Sequence, residues 1–206
     1  MSSPALFIFL PGIRGEAAFW EPVATHLSAL GETELLRYPW ASGSGAIEQA
    51  GNLDELVDAV AARITRPTAL VAQSLGGVVA MLVALRKPSL VTHLVLATTS
   101  GGVNTEALGV ADWKPAFFDA YPQIPRWLGA DARDLSAEIR TITIPTLLLW
   151  GDADPISPLV IGERLHTLLP NSALHVVEGG EHDLGLRYAD DVAALIRAHV
   201  GGESVE

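Results

Sequence analysis

Six short apolar runs constrain what this 206-residue chain can fold into more than any other feature: Ala5–Leu10, Thr33–Tyr38, Thr68–Gln73, Val91–Ala97, Pro145–Trp150 and Ala173–Val177. Each has strand length and is rich in Leu, Val, Ile or Phe, and none alternates cleanly with polar residues. A sheet with one wet face would alternate. Strands covered on both faces do not, because both rows of side chains are buried. Helix-length segments separate the runs at Ala17–Leu30, Ile47–Ile64, Leu75–Arg86, Pro158–Leu169 and Asp190–Val200. In Ile47–Ile64 the apolar positions Leu53, Leu56, Val57, Val60, Ala61 and Ile64 follow helical spacing, with Asp54, Glu55, Asp58 and Arg63 outside it. Strand–helix alternation calls for βαβ units with right-handed crossovers. The expectation is an α/β fold: a doubly wound, mostly parallel sheet of about six strands between two helix layers, with ligands bound at the carboxyl ends of the strands.

Composition narrows the chemistry. Apolar residues make up 49% and charged residues 18%, too apolar for a disordered chain. Thirteen basic against 24 acidic side chains leave a formal charge of −11 with no Lys/Arg cluster, so no nucleic-acid partner is expected. The absence of cysteine excludes a disulfide scaffold, a thiolate metal site and a cysteine nucleophile. Residues Met1–Pro4 lack the positive region of a secretory leader. The longest uncharged apolar candidate for a span, Val78–Leu85, is far short of the roughly 18 residues a membrane helix needs. A cytoplasmic protein with no membrane partner is expected, and nothing in the sequence indicates the oligomeric state.

One segment breaks the rhythm. Residues 100–140 contain no strand-like run, are interrupted by Pro115, Pro122 and Pro125, and carry Trp113, Phe117, Phe118, Tyr121 and Trp127. The reading is a small helical lid inserted over the strand ends, dividing the chain into core (1–99), lid (100–140) and core (141–206). Trp113, Phe117, Phe118 and Trp127 are candidate contacts for an apolar substrate group, although aromatic rings also serve to anchor an insertion. Ala41–Gly45 reads as a small-residue loop and Gly201–Glu206 as a frayed tail.

The third run leads straight into Ser74, and a helix with small residues in its first turn follows at Leu75-Gly76-Gly77. Such a sharp strand-to-helix reversal strains the serine backbone, lifts Oγ above the sheet edge and requires small residues two before and two after. These are Ala72 and Gly76. A serine in this place can also be a simple helix cap. As a nucleophile it needs an adjacent base, itself oriented by a third group. Of six histidines, His26, His93, His166, His175 and His199 fall inside strands or helices, whereas His182 lies in the loop after the last strand, on the same sheet edge as Ser74. Two acids compete in the loop after the fifth run: Asp152 directly follows Gly151, and Asp154 is stiffened by Pro155. Asp152, Asp154, Glu178, Glu181, His182 and Asp183 show no metal-ligand spacing, so no metal is expected.

Serine, acid and histidine, each on the loop after a separate strand and in that chain order, resemble the α/β-hydrolase superfamily, and the resemblance covers nearly the whole chain. It extends to Leu10-Pro11-Gly12-Ile13-Arg14-Gly15, similar to the family's H-G-x-x-G loop with Pro11 in place of the histidine. It also includes Trp150-Gly151-x-x-Asp154 and Gly180-x-His182. Ala72 departs from the usual G-x-S-x-G. The resemblance implies a short serine esterase-like member with Ser74 as nucleophile, His182 as base and Asp154, in preference to Asp152, as the orienting acid. It implies an oxyanion hole formed by the N–H groups of Ile13 and Leu75, and no cofactor. The implied reaction is hydrolysis of a small-molecule carboxylic ester with a small or medium apolar acyl group, through an acyl-enzyme. A thioesterase, an acyl-carrier methyl esterase or a carbon–carbon bond hydrolase would use the same residues. A non-catalytic hydrolase-fold protein that binds a ligand or partner is the alternative of another class.

Overall fold

A computed structural model describes residues 4–41, 47, 49–131 and 133–202. Most of the small-residue loop at 41–45 and the end of the tail beyond 202 lie outside the described residues.

Six strands form one sheet: β1 (Leu6–Leu10), β2 (Glu32–Leu35), β3 (Thr68–Gln73), β4 (Val91–Ala97), β5 (Thr146–Gly151) and β6 (Ser172–Val177). Their order is β2-β1-β3-β4-β5-β6 and every neighbouring pair is parallel. The helices are α1 (Glu21–Leu27), α2 (Leu53–Arg63), α3 (Leu75–Arg86), α4 (Lys114–Ala120), α5 (Trp127–Ala130), α6 (Ser136–Ile139), α7 (Leu159–Leu168), α8 (Leu184–Arg187) and α9 (Ala189–Gly201).

Alternate strand residues supply two separate cores. Phe7, Phe9, Val71, Val95 and Leu149 meet α1 and α9 through Val23, Leu27, Val192 and Ile196. Ile8, Leu10, Leu70, Leu96 and Trp150 meet α2, α3 and α7 through Leu56, Val60, Val79, Val83 and Ile161. Both faces of the central strands are thereby dry, which is why their sequences do not alternate. This doubly wound parallel architecture is the one the apolar runs call for.

Three elements differ from their expected bounds by more than two residues. The helix expected over Ala17–Leu30 is a 3-10 turn at Ala17–Phe19 followed by α1 over Glu21–Leu27 only. The second run leaves the sheet after Leu35, and the Tyr38 N–H donates to the Gly15 carbonyl at 3.1 Å instead of joining the ladder. The helix expected from residue 47 begins only at Leu53, where Asn52 caps it by accepting from the Glu55 N–H at 2.9 Å. Between β4 and β5 the chain runs through α4, α5 and α6 with no strand among the described residues. The insertion is tied to α2 by Arg133, whose guanidinium donates to both carboxylate oxygens of Asp54 at 3.1 and 3.2 Å. Among the described residues no helix is long and apolar enough to cross a membrane.

The chain leaves β1 for β2 on one side and returns to place β3 on the other. The sheet's switch point therefore lies between β1 and β3, where a crevice opens at the carboxyl ends.

Candidate active site

Ser74 sits at that crevice. Its backbone has φ 53° and ψ −119°, a left-handed conformation that costs a non-glycine residue on the order of 1–3 kcal/mol. Three hydrogen bonds hold it there: the Ser74 N–H donates to the Ala97 carbonyl at 3.1 Å, while its own carbonyl accepts from the Gly77 N–H at 2.9 Å and from Thr99 Oγ1 at 2.5 Å. Small size is essential two residues on, since a Cβ at Gly76 would lie 2.6 Å from the Leu10 carbonyl oxygen and 2.7 Å from that of Pro11. The same contact presses the loop after β1 against the start of α3. Ala72 is wholly buried in β3, so its methyl group is accommodated without opening the turn.

The two candidate acids differ in their surroundings. Asp154 has a fully buried side chain; Oδ1 accepts from the Ile156 and Ser157 N–H groups at 2.8 and 2.9 Å, and Oδ2 faces His182 Nδ1 at 2.7 Å. A carboxylate only accepts, so Nδ1 carries the proton and Nε2 is left with a free lone pair. Asp152 is exposed and serves the turn, its Oδ1 accepting from the Gly179 N–H at 2.7 Å. Trp150 Nε1 donates to the Ser157 carbonyl at 2.8 Å and fixes the acid loop from beneath. Gly151 lets the two loops touch, because a Cβ there would run into the Gly180 carbonyl, and the Ala153 N–H donates to that carbonyl at 3.0 Å. Thus the acid and histidine loops are built against each other.

Two chambers meet at Ser74 and His182, both of which line each of them. One, of about 290 Å³, includes Ile13, Leu75, Thr98, Ser100, Asn104 and Lys114 and has a lining of mixed polar and apolar groups. The other, of about 540 Å³, is walled by Phe19, Trp113, Phe117, Tyr121, Ile156 and Leu186. Ile13 and Leu75 are therefore beside the serine, and the Leu75 N–H, at the first position of α3, has no partner within its helix. Of the four aromatic candidates, Trp113 faces both chambers and Phe117 the larger one. Phe118 is buried within segment 100–140 against Arg126, and Trp127 sets its ring edge to face with that of Trp40 at 5.7 Å; neither lines a chamber. Tyr121, Phe19 and Leu186 escaped the sequence reading, since nothing in composition says which side of an insertion or helix faces a cavity.

No protein-family model matches the chain. A pimeloyl-[acyl-carrier protein] methyl ester esterase from Neisseria meningitidis serogroup C is 30% identical over an alignment covering 78% of this chain and 80% of that protein. The chain belongs to the α/β-hydrolase superfamily. A serogroup A relative of the same description is also 30% identical, and there the alignment spans 65% of the relative's length. Among solved α/β-hydrolase structures, a thermophilic esterase from Thermogutta terrifontis superposes with a TM-score of 0.78 over 98% of this chain and 91% of that one, at 18% identity.

Proposed function

We propose that this α/β-hydrolase cleaves carboxylic esters of small or medium apolar acyl groups, with Ser74, His182 and Asp154 as catalytic triad. Ser74 Oγ attacks the carbonyl carbon while His182 Nε2 takes its proton; Asp154 keeps the imidazole in the required tautomer and stabilises the imidazolium. The tetrahedral oxyanion is met by the Ile13 and Leu75 N–H groups, each such donor being worth roughly 10²–10³ in rate. His182 returns the proton to the departing alcohol. Water activated by the same imidazole then releases the acid from the acyl-enzyme.

The observation that carries this reading is the buried Asp154–His182 hydrogen bond at 2.7 Å, which leaves Nε2 for a cavity shared with a strained serine. The larger, aromatic-walled chamber suits the apolar part of the substrate, with Trp113 and Phe117 supplied by the segment 100–140 acting as lid over the core 1–99 and 141–206. A small-molecule ester in the cytoplasm, with no nucleic-acid or membrane partner, is part of the same proposal. The similarity to the Neisseria esterases favours, as a second reading, a methyl ester on a carrier-borne acyl chain. The charge of −11 works against any acidic protein partner.

The test is hydrolysis of p-nitrophenyl acetate, butyrate and octanoate by wild type and Ser74→Ala. Turnover by the wild type and its loss in the variant are expected. Failure to hydrolyse any ester of the series would leave the non-catalytic ligand-binding reading in its place, and equal turnover by both proteins would remove Ser74 from the nucleophile's role.

A further inference from the structure

We propose that Trp40, in the loop after β2, is a positioning residue for the oxyanion hole, acting through the carbonyl of Ile13. Its indole Nε1 donates to that carbonyl at 2.7 Å across 27 positions of sequence. A peptide unit is planar, so fixing one of its polar atoms fixes the other. The Ile13 N–H shares a plane with the Gly12 carbonyl, which accepts from the Gly15 N–H at 2.9 Å. The Ile13 carbonyl belongs to the next plane, and Trp40 is the group that holds it. With both planes pinned, rotation about the Ile13 Cα is arrested and the Ile13 N–H keeps one direction.

The loop has no side chain of its own for this task. Pro11 stands where the superfamily's H-G-x-x-G pattern has a histidine, and it brings neither a side-chain donor nor a backbone N–H. Trp20 Nε1 donates to the Leu10 carbonyl at 3.0 Å, which secures the end of β1 but not the peptide planes around Ile13. Trp40 is in turn held between the Tyr38 ring, at 5.2 Å, and the edge-to-face ring of Trp127, at 5.7 Å. Trp127 belongs to the insertion, so the seat of the oxyanion loop includes a lid side chain.

The inference rests on the ester-hydrolase reading. It is tested with Trp40→Phe, which retains a ring between Tyr38 and Trp127 and removes the N–H, and with benzothienylalanine incorporated at position 40, which keeps the full indole shape without the donor. For p-nitrophenyl butyrate, kcat is expected to fall about tenfold in both variants, with KM nearly unchanged, because a donor that wavers in direction weakens the transition state more than the bound ester. The rate of fluorophosphonate labelling of Ser74 should fall in parallel, while the thermal midpoint of the benzothienylalanine protein stays at the wild-type value. Unchanged kcat in both variants, or a loss confined to Trp40→Phe, would assign Trp40 to packing and overturn the inference alone. Wild-type protein that neither turns over esters nor takes the label would overturn the ester-hydrolase reading, and this inference with it.

Discussion

At Asp154 the two carboxylate oxygens have different partners. Oδ1 is occupied by two backbone N–H groups and Oδ2 by the imidazole, so the side chain has one orientation and the histidine one tautomer. In Asp154→Asn the remaining carbonyl oxygen would keep the Ile156 and Ser157 N–H groups, and the amide NH₂ would face His182 Nδ1. The ring proton must then move to Nε2, where it blocks acceptance from Ser74. Turnover is expected to drop by about 10³–10⁴-fold with the fold intact, as judged by kcat and by thermal melting. Ala72 offers a second test. Its methyl group is buried in β3 beside a turn that already closes, so Ala72→Gly should lose about 1–2 kcal/mol of stability in urea unfolding without raising kcat. A gain in turnover would mean that the methyl group does restrain the serine. The residues by themselves left Asp152 and Asp154 in competition because both follow Gly151 on one loop, and only the family resemblance favoured Asp154. In the fold the facing loop distinguishes them physically, by giving Asp152 the Gly179 N–H and Asp154 the histidine.

Among the elements, α9 and β4 carry a pair outside the site, of which His93 is buried and His199 partly so. The rings of His93 and His199 meet edge to face at 5.3 Å. Burial lowers the pKa of His93, and burial together with the neighbouring His93 pushes His199 down to about 4 from 6.5. Both bind a proton less readily in the fold than in the unfolded chain, so the unfolded chain binds more protons just below pH 6.5. Their contribution is fully present above that value and declines as the pH falls below 6.5, for His199 towards about 4. For His199 the loss is at most about 3 kcal/mol, and less because the ring keeps some contact with water. Urea unfolding at pH 7 and pH 4.5 should show the loss, and His199→Leu should flatten it; an equal slope in both proteins would contradict this assignment. The strands were the most legible elements, because burial on both faces leaves an unmistakable run of apolar residues. The second was overextended: Leu36 and Tyr38 are as buried as strand residues, yet the chain there turns to brace the loop after β1. Segment 100–140 was legible as a stretch without strands, but the facing of its rings was not, since Phe118 and Trp127 turn towards protein while Trp113 and Phe117 turn towards the chambers.

For the whole molecule, parallel strand order does the assembly. The loop after β1, the serine after β3, the acid after β5 and the histidine after β6 all emerge at one edge, so residues more than a hundred positions apart meet without any unusual local structure. Trp40 shows the limit of reading such an arrangement from sequence: a lone aromatic in a loop carries no pattern until the fold brings it against Ile13. The charge of −11 acts at this same scale. Repulsion should slow the encounter with a negatively charged ester, so kcat/KM for such a substrate is expected to rise between 10 mM and 150 mM salt, over which the screening length shrinks from about 30 to 8 Å. A neutral ester of the same size should show no such rise, and identical salt responses would show that the net charge is not felt at the crevice. The central claim, that one activated serine stands at the meeting of these loops, is tested most directly by intact-mass and peptide mapping after treatment with a fluorophosphonate. A single adduct on Ser74, absent from Ser74→Ala and strongly slowed in His182→Ala, is the predicted result. No adduct on the wild type, or one that survives in Ser74→Ala, would contradict it.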